Sequence, residues 1–529
     1  MPAKYLANGY IYTLDPDRPS AEAVCIENGR ITSIGKNSDV IPAHHTGLDV
    51  LDLKGRCVLP GITDAHIHLL EYGSSLMRVD CETATRAECV EQVRNAVAAS
   101  QQGCWVRGHG WNHNIWPEGA GSRAELDAFS SQNPIYLTHK SLHSAWANSA
   151  ALKAAGIDSS SPDPENGQIV RDSSGNPTGI LLESAMALVE GIIPEPSNDQ
   201  RLSALHAAQR ALNAFGITAV HDFDSWSCYL SLRQMEEIGE LSVRVMKSIP
   251  FDHLDEAIQM GLQSADGSET LRIGWLKLFS DGALGPQTAA MLKPYEESIT
   301  CGMLFLDRRD IYEFGIKSVH AGISLAVHAI GDRANREVIS GYAQLIHNAS
   351  CKQVTLPPRI EHVQLISADD IPELASLGII ASMQPIHAVS DRVMAERHWG
   401  ERCSNAYAWN ALQKNGATLI FGSDAPVESP NPFLGLFAAV TRKSITDPST
   451  SNSWIPDQCL TIDQALNAYI KTPQKVAGVG KQCGVLKPGY LADLIVLPVD
   501  ILKEQPQALL NCLPEMTMVS GKCVFTRNA

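Results

Sequence analysis

Short apolar runs and amphipathic segments alternate through the centre of the chain. The runs favour buried strands, and the segments between them have helical periodicity. The predicted strands cover residues 58–69, 217–223, 243–249, 273–279, 324–328, 359–363, 379–383 and 418–423. Strands that alternate with helices in this way predict an α/β protein whose parallel sheet closes as a (β/α)8 TIM barrel.

Both ends of the chain contain short strands joined by turns instead. Residues 23–34 predict a hairpin around the turn dipeptide Asn28-Gly29, and residues 492–497 and 518–525 predict strands near the C-terminus. Neither end alone buries enough apolar surface to fold, so we expect one small composite β-sandwich built from both termini.

The interval between the first two barrel strands is far longer than an ordinary strand–helix connection. We expect a large insertion after strand 1 that forms a subdomain over the barrel mouth. The predicted domains are residues 1–56 and 477–529 for the sandwich, 57–70 and 200–476 for the metal-dependent barrel, and 71–199 for the insertion.

Polar side chains stand at the predicted strand ends, where a buried strand should be apolar. Working residues of such barrels lie at the C-terminal ends of the strands. Neutral imidazoles and a carboxylate suit a zinc-type ion. The predicted metal ligands are His66, His68, Lys277, His328, His362 and Asp424.

The same residues supply the predicted chemistry. Two histidines and Asp424 hold one divalent ion, and two further histidines hold a second. Because desolvation lowers the pKa of a lysine, Lys277 can add carbon dioxide and become a carbamate that bridges the two ions. A metal lowers the pKa of bound water from about 16 to about 7, which gives hydroxide, and Asp424 shuttles the proton. Asp424, Lys277 and His362 are the predicted catalytic residues.

Each of these residues has a plainer explanation when taken alone. His328 or His362 could be an ordinary hydrogen-bonded histidine. Lys277 could pair with Asp281, and Asp424 could merely shape a turn. Their joint placement at successive strand ends favours the metal site, with one or two ions per chain; carboxylation of Lys277 belongs to the two-ion case.

The composition of the chain limits which kinds of partner and which cell compartment we expect. The 529 residues carry a net charge of -16, whereas a nucleic-acid partner requires a basic surface. The sequence contains no apolar run long enough for a membrane span, and its first residues contain no long apolar core of the kind found in a signal peptide, so we expect no membrane association. The 13 cysteines contain no CxxC pair and fit a reducing compartment. We expect a cytoplasmic protein with a small-molecule substrate. A homodimer is one possible oligomeric state.

Motifs along the chain resemble the amidohydrolase superfamily, and within it amidohydrolase family 3, the YtcJ-like group that includes N-substituted formamide deformylase. The matching stretches are residues 60–69, 110–112, 143–149, 177–183, 277–285, 328–334, 359–364 and 422–426. The resemblance implies a metal-dependent barrel with a composite sandwich and hydrolysis of a C–N bond. Two departures lie in the insertion, Asn112 for the usual Asp and Leu142 for the usual Gly, and both bear on substrate choice.

Candidate substrate contacts are Trp111, His113, His143, Glu183, Asp281, Asp332 and Arg333. Trp111 and His113 could line an apolar pocket or belong to a subdomain core. Asp281 could orient a ligand. Arg333 could bind a carboxylate or carbonyl, while Asp332 could instead cap a helix. His143 and Glu183 rest on the resemblance alone.

The predicted function is a metal-dependent amidohydrolase that cleaves the C–N bond of a small amide, N-acyl or N-formyl compound, other than a peptide bond. The same metal barrel could instead act as a deaminase, lactonase, decarboxylase or isomerase. The sequence argues against the deaminase alternative, because the segment Ala329-Ile330-Gly331-Asp332 that follows His328 contains no Glu. A catalytically silent binding protein is the other alternative, and the complete ligand set argues against it.

Overall fold

The computed structural model describes residues 3–42, 48–113, 115–140, 144–165, 167–348, 354–449 and 452–527. Contacts divide the chain into two compact units, residues 1–73 with 201–529 and residues 74–200. Within the described residues, no helix is long and apolar enough to cross a membrane.

The first unit contains an eight-stranded parallel barrel, which confirms the predicted fold class. Its strands, β1 to β8, are Ile62–Ile67, Ile217–Asp222, Arg244–Pro250, Leu271–Phe279, Leu325–Ala329, Arg359–His362, Ile380–Met383 and Thr418–Phe421. Neighbouring strands pair in chain order. The seam between β8 and β1 closes just past the strand ends, where Asp424 N donates to His66 O at 2.7 Å and His68 N donates to Ala425 O at 2.9 Å.

Helices alternate with the barrel strands. The helices of the first unit are Asn37–Val40, Leu69–Leu76, Asn198–Ala214, Trp226–Glu237, Leu254–Gln259, Arg308–His320, Asp332–His347, Ile371–Ser376, Pro385–Ser390, Arg392–Trp399, Trp409–Lys414, Pro432–Thr441, Ile462–Tyr469 and Lys471–Val476. Two of them, Leu69–Leu76 and Asn198–Ala214, run across the boundary of the unit. Local sequence sets their starts. Thr461 accepts from Gln464 N at 3.2 Å, while the Gln464 side chain accepts from Thr461 N at 2.8 Å, a reciprocal cap that satisfies free backbone donors.

Two sheets from the chain ends form the sandwich, as predicted. One has the strand order Arg30–Gly35, Ala23–Glu27, Lys4–Ala7, Asp49–Asp52, and the other has the order Lys522–Thr526, Met516–Val519, Leu494–Leu497, Cys57–Pro60, Tyr10–Tyr12, Ser20–Ala21. The turn residues Asn28 and Gly29 have φ of 50° and 81°, the left-handed values that a tight hairpin turn needs. A shared apolar core that includes Val24, Val58 and Leu494 holds the N- and C-terminal strands together.

The second unit is the large insertion after β1. Its mixed sheet has the order Gly167–Arg171, Pro177–Glu183, Ser144–Ala147, Ile135–His139, Val106–Trp111, Val79–Asp80. Its helices are Arg86–Ala99, Arg123–Asp127, Ser149–Ala154 and Ala187–Glu190. Its predicted location over the barrel mouth stays a prediction, as do the predicted domain boundaries.

Candidate metal centre

The barrel seam brings His66, His68 and Asp424 together. His66 Nε2 lies 3.5 Å and His68 Nε2 lies 3.4 Å from Asp424 Oδ1. The backbone bonds that close the barrel join the same residues, so barrel closure fixes this contact. Gly422 permits the close approach, because a Cβ there would lie 2.4 Å from His66 N. The end of β1 and the segment after β8 thus form one half of the site.

The other half comes from the ends of β6 and β7. The ring nitrogens of His362 and His387 and a carboxylate oxygen of Asp424 lie within 4.8 Å of one another, as do the corresponding atoms of His66, His68 and Asp424. The ring centroids of His66 and His362 are 4.9 Å apart. His362 and Asp424 have φ of 77° and 61°, left-handed values that non-glycine residues hold only where the surrounding structure enforces them. Asp424 therefore belongs to both groups.

Hydrogen bonds fix which nitrogen is free in three of the histidines. His66 Nδ1 donates to Glu361 Oε2 at 2.6 Å, and His362 Nδ1 donates to Gln384 Oε1 at 2.9 Å. His328 Nε2 donates to the carbonyl of Gly282 at 3.0 Å. Because one ring nitrogen carries the proton in each case, the other keeps the lone pair that a metal ligand needs.

Glu361 is itself held by a buried arginine. Arg359 Nε donates to Glu361 Oε1 at 2.5 Å, and Arg359 Nη2 donates to Glu361 Oε2 at 2.9 Å. Arg359 also donates to His221 Nδ1 at 2.9 Å and to Ser382 Oγ at 2.8 Å. Burial alone would raise the pKa of Glu361, but Arg359 and His66 hold it well below its ordinary value. The carboxylate that orients His66 is therefore charged.

The buried imidazoles are neutral at physiological pH. Burial, reinforced by the charge of Lys277, lowers the pKa of His66 to about 4 and that of His328 to about 3. Burial and the neighbouring His328 lower the pKa of His362 well below its ordinary value. Neutral imidazole is the form that binds metal ions.

Asp424 and His68 each shift the pKa of the other. Burial would raise the pKa of Asp424, but the hydrogen bond from His68 and the surrounding histidines bring it well below its ordinary value. Burial likewise opposes a charge on His68, yet the bond to Asp424 raises the pKa of this histidine. Asp424 is thus an ionised carboxylate surrounded by imidazoles.

Lys277 lies beside the same cluster. Its Nζ stands 4.6 Å from the ring centroid of Phe223 and 4.9 Å from that of Phe279. Burial lowers the pKa of Lys277 to about 8, although Glu361 and Asp424 favour the charged form. A substantial fraction of the amine is therefore neutral just above physiological pH.

The residues present fit a divalent ion. Neutral imidazoles and one carboxylate are the donor set of a hydrolytic zinc site. The Nε2 atom of His66 is buried and has no hydrogen-bond partner among the described residues. Since buried polar atoms are almost always paired, such a nitrogen beside Asp424 indicates a place for a cation.

Sequence comparison decides the family. The profile of the Amidohydrolase family matches residues 49–525. The chain belongs to the amidohydrolase family. It is 31% identical over 508 residues to the protein LONG AFTER FAR-RED 3 of Arabidopsis thaliana, a match that covers 93% of this chain and 86% of that one.

Two further comparisons bear on this amidohydrolase. The N-substituted formamide deformylase of Arthrobacter pascens is 28% identical over 516 residues, 94% of each chain. The solved structure of an uncharacterized metal-dependent hydrolase from Pyrococcus horikoshii OT3 matches with a TM-score of 0.79 and 28% identity, over 95% of this chain and 99% of that one. The resemblance to the amidohydrolase superfamily is confirmed, and this amidohydrolase is a hydrolase of a metal-dependent family.

Asp281 lies beside His328 and holds the loop after β4, and its predicted contact with the substrate stays a prediction. Its carboxylate accepts from the backbone N–H groups of Ala290 at 2.8 Å, Ile330 at 3.0 Å and Gly331 at 2.8 Å. These bonds occupy both oxygens and hold the loop after β4 against the end of β5. Asp281 is only 1% exposed, and its oxygen lies 3.5 Å from His328 Nε2.

Asp332 and Arg333 begin the same helix but lie in different environments. Asp332 is buried and accepts from Leu292 N at 2.8 Å, while Gly331 takes the cap position. Arg333 is exposed. Asp332 therefore braces the loop after β4, and Arg333 keeps its guanidinium in solvent.

The insertion candidates belong to the second unit. Trp111 is 1% exposed, donates from Nε1 to Leu137 O at 2.9 Å, and packs in an apolar cluster, which favours the subdomain-core interpretation. His113 and Glu183 are exposed. His143 lies outside the described residues.

Sequence reasoning missed three side chains of the amidohydrolase site. Glu361 orients His66, Gln384 orients His362, and His387 faces Asp424. Gln384 and His387 follow β7, a strand to which no chemistry had been assigned. Their buried positions in Gln384-Pro385-Ile386-His387, straight after an apolar run, are the signal that could have identified them.

Proposed function

We propose that this amidohydrolase is a metal-dependent enzyme that cleaves the C–N bond of a small amide, N-acyl or N-formyl compound other than a peptide. The observation that carries the proposal is Asp424, one ionised carboxylate shared by two groups of histidines. Such a carboxylate can both hold an ion and transfer a proton.

In this proposal His66, His68 and Asp424 hold one divalent ion, and His328 and His362 hold a second. Zinc is the metal that the donor set favours. Lys277, once carboxylated by carbon dioxide, would be a further ligand when both ions are bound; its lowered pKa supports this because only the neutral amine reacts. Bound ions would supply polarisation of the carbonyl and acidification of water.

Asp424 handles the proton. Water adds to the amide carbon, the C–N bond breaks, and the amine leaves with the proton that Asp424 takes from the water and delivers to nitrogen. Asp424 Oδ2, the oxygen that does not face His66 and His68, is the atom for this transfer. Proton delivery to nitrogen matters because an amide anion is a very poor leaving group.

An apolar substituent on the substrate is supported by Phe279. This residue ends β4, is 51% exposed, and has its ring centroid 5.3 Å from that of His328. A half-exposed aromatic ring beside the ligand cluster offers an apolar wall for a substrate. The name of the Arthrobacter pascens relative, a deformylase of N-substituted formamides, agrees with this choice.

Metal content and product analysis test the proposal. Protein purified without chelator is analysed by plasma mass spectrometry and then given N-alkyl and N-aryl formamides and acetamides. We expect one or two divalent ions per chain and release of free amine with formate or acetate. Ammonia from heterocyclic amines, or carbon dioxide, would indicate the deaminase or decarboxylase alternatives. Metal-free protein that added zinc, manganese or cobalt does not activate would favour the silent binding protein.

Asp424→Ala separates the proton role from metal binding. We expect turnover to fall by at least about 10²-fold, the usual contribution of a positioned acid–base group, while most of the metal stays bound to the histidines. Turnover at the wild-type rate would rule out Asp424 as the proton carrier. The zinc identity, the cytoplasmic location and the homodimer remain predictions from the sequence.

A further inference from the structure

His387 is a buried imidazole outside the predicted ligand set. It lies on the helix Pro385–Ser390, which begins directly after β7, and is 6% exposed. Its Nε2 lies 3.9 Å from Asp424 Oδ2 and has no hydrogen-bond partner among the described residues. A buried ring nitrogen directed at the key carboxylate needs a function.

The two oxygens of Asp424 have different neighbours. Oδ1 faces His66 and His68, at 3.5 and 3.4 Å, whereas Oδ2 faces His387. If Oδ1 shares an ion with these two histidines, Oδ2 remains for the proton. A carboxylate can rotate about its terminal bond, so an oxygen that must meet a proton needs a group to hold it.

Gln364 sets the proton position on His387. The amide Nε2 of Gln364 donates to His387 Nδ1 at 3.4 Å. Where Nδ1 accepts from this amide, the ring proton stands on Nε2, which lies 3.9 Å from Asp424 Oδ2. The ring of His387 also lies nearly parallel to that of His362, with an interplanar angle of 14° and centroids 6.3 Å apart, in a packed position.

We propose that His387 is a positioning residue for Asp424. The Nε2–H of His387 donates to Asp424 Oδ2 and holds that oxygen in line for proton transfer. The proposal rests on the proton role of Asp424 in the proposed function. The present 3.9 Å separation exceeds a formed hydrogen bond, and contacts of this kind often shorten only in the substrate complex.

The tautomer of His387 can be measured without any substrate. Zinc-loaded protein labelled with ¹⁵N-histidine is examined by NMR, and His387→Ala identifies the His387 signals by their loss. We expect a neutral ring protonated on Nε2. A ring protonated on Nδ1, or an Nε2 bound to zinc, would overturn the proposal and make His387 a metal ligand.

Kinetics of two variants test the positioning role. His387→Ala should lower kcat by roughly 10- to 100-fold, the usual effect of removing a supporting partner, with unchanged metal content. KM should stay within about twofold, because substrate binding is not affected. His387→Gln keeps an N–H donor near the same place, so its kcat should lie between those of His387→Ala and the wild type.

His398→Ala is the matched control. This histidine lies on the neighbouring helix Arg392–Trp399, where its Nδ1 contacts Gln287 Nε2 at 3.1 Å, and its loss should leave kcat unchanged. Loss of metal from His387→Ala, equal kcat in its Ala and Gln variants, or a wild-type kcat in His387→Ala would each overturn the proposal. If wild-type protein hydrolyses none of the amides, the proposed function fails, and the NMR result alone decides the tautomer and with it the role of His387.

Discussion

Lys277 is a buried charge that the barrel accommodates poorly. It is 4% exposed, and burial lowers its pKa to about 8, far below that of a lysine in water. Below pH 8 the folded protein must hold a buried ammonium that the unfolded chain leaves in solvent. At about 1.4 kcal/mol per pKa unit, this costs the metal-free fold about 3 kcal/mol at neutral pH.

Lys277→Met should therefore stabilise the metal-free protein. Because the folded pKa lies below the unfolded value, the unfolded chain binds more protons between about pH 8 and 10.5, and wild-type stability rises with pH there. We expect a gain of about 3 kcal/mol for the variant at pH 7, shrinking through that window. Urea unfolding in chelator and carbon-dioxide-free buffer measures it.

Lys247→Met is the contrasting control for this prediction. Lys247 is also buried, but its Nζ lies 2.8 Å from Asp222 Oδ2, and although burial opposes its charge, that carboxylate raises its pKa. Its loss should destabilise the protein. If Lys277→Met also destabilised the metal-free protein at pH 7, the buried ammonium would have a stabilising partner.

Glu361 should control how tightly the site binds metal. Glu361→Gln removes the charged acceptor of His66 Nδ1 and the partner of Arg359. We expect metal affinity to fall roughly 10- to 100-fold. Stability should fall by roughly 3–5 kcal/mol because the arginine charge stays buried without its partner. Chelator competition and urea unfolding measure the two effects.

Glu337→Gln offers a matched control, because Glu337 pairs with Arg308 at 2.8 Å at a more exposed position. Its loss should cost less than about 1 kcal/mol and leave metal affinity unchanged. Wild-type affinity in Glu361→Gln would show that this carboxylate does not orient His66.

The sequence allowed prediction of those site residues that are polar where the neighbouring residues of the chain are apolar. His66, His328 and His362 are polar residues at the ends of apolar runs, so their strands identify them. Glu361 lies within such a run beside Arg359 and His362, and only the fold shows that it bonds to a residue of β1. His387 lies on the helix Pro385–Ser390 and not at a strand end, so only its place after the apolar run of β7 marks it.

At the scale of elements, the helix Leu69–Leu76 depends on two distant carboxylates. Its first backbone N–H groups donate to Asp222 Oδ1 from Leu69 at 2.8 Å, and to Asp224 Oδ2 from Leu70 at 2.6 Å. Free N–H groups at a helix start favour negative charge. The helix begins directly after His68, so these bonds also set where this histidine lies.

The charge of Lys247 neutralises those carboxylates, so its removal should disturb the start of the helix Leu69–Leu76. Lys247→Met leaves the carboxylates of Asp222 and Asp224 buried without their cation, which should cost roughly 3–5 kcal/mol. We expect the folded variant to retain less metal, because the start of the helix moves with His68. Thermal unfolding and metal analysis measure both.

The double variant Lys247→Met with Asp222→Asn removes opposite charges together. It should regain part of the lost stability, since replacing a buried pair costs less than breaking one. If it is as unstable as Lys247→Met alone, packing rather than charge explains the loss. Sequence patterns predicted the strands from their apolar runs, but not this network, because Leu69 and Asp222 meet only when β1 and β2 pair.

At the scale of the molecule, the sandwich and the barrel share one buried ion pair. Arg244, the first residue of β3, donates to Asp493 at 2.6 Å from Nε and 2.9 Å from Nη2. Asp493 also accepts from Ser520 N at 2.7 Å, and its own carbonyl accepts from Gly61 N at 3.0 Å. Asp493 thus contacts the last hairpin, the entry to β1 and the start of β3.

The sequence predicted that both termini form one sandwich, because short apolar strands at each end need a partner. It did not predict the connection to the barrel. Arg244 and Asp493 stand far apart in the chain, and each alone resembles an ordinary surface charge next to a strand. Only the folded arrangement buries the two side chains, to 8% and 6% exposure.

Asp493→Asn should therefore destabilise the whole first unit in one step. The variant leaves the Arg244 guanidinium buried without a carboxylate, at a cost of roughly 3–5 kcal/mol. Because the pair joins both substructures, circular dichroism and metal release should shift to lower temperature together. Lys487→Ala, which removes the half-exposed partner of Asp15, should shift both by far less. Separate transitions in Asp493→Asn, with metal retained after the first, would show that the sandwich unfolds independently and that the barrel keeps its site without it.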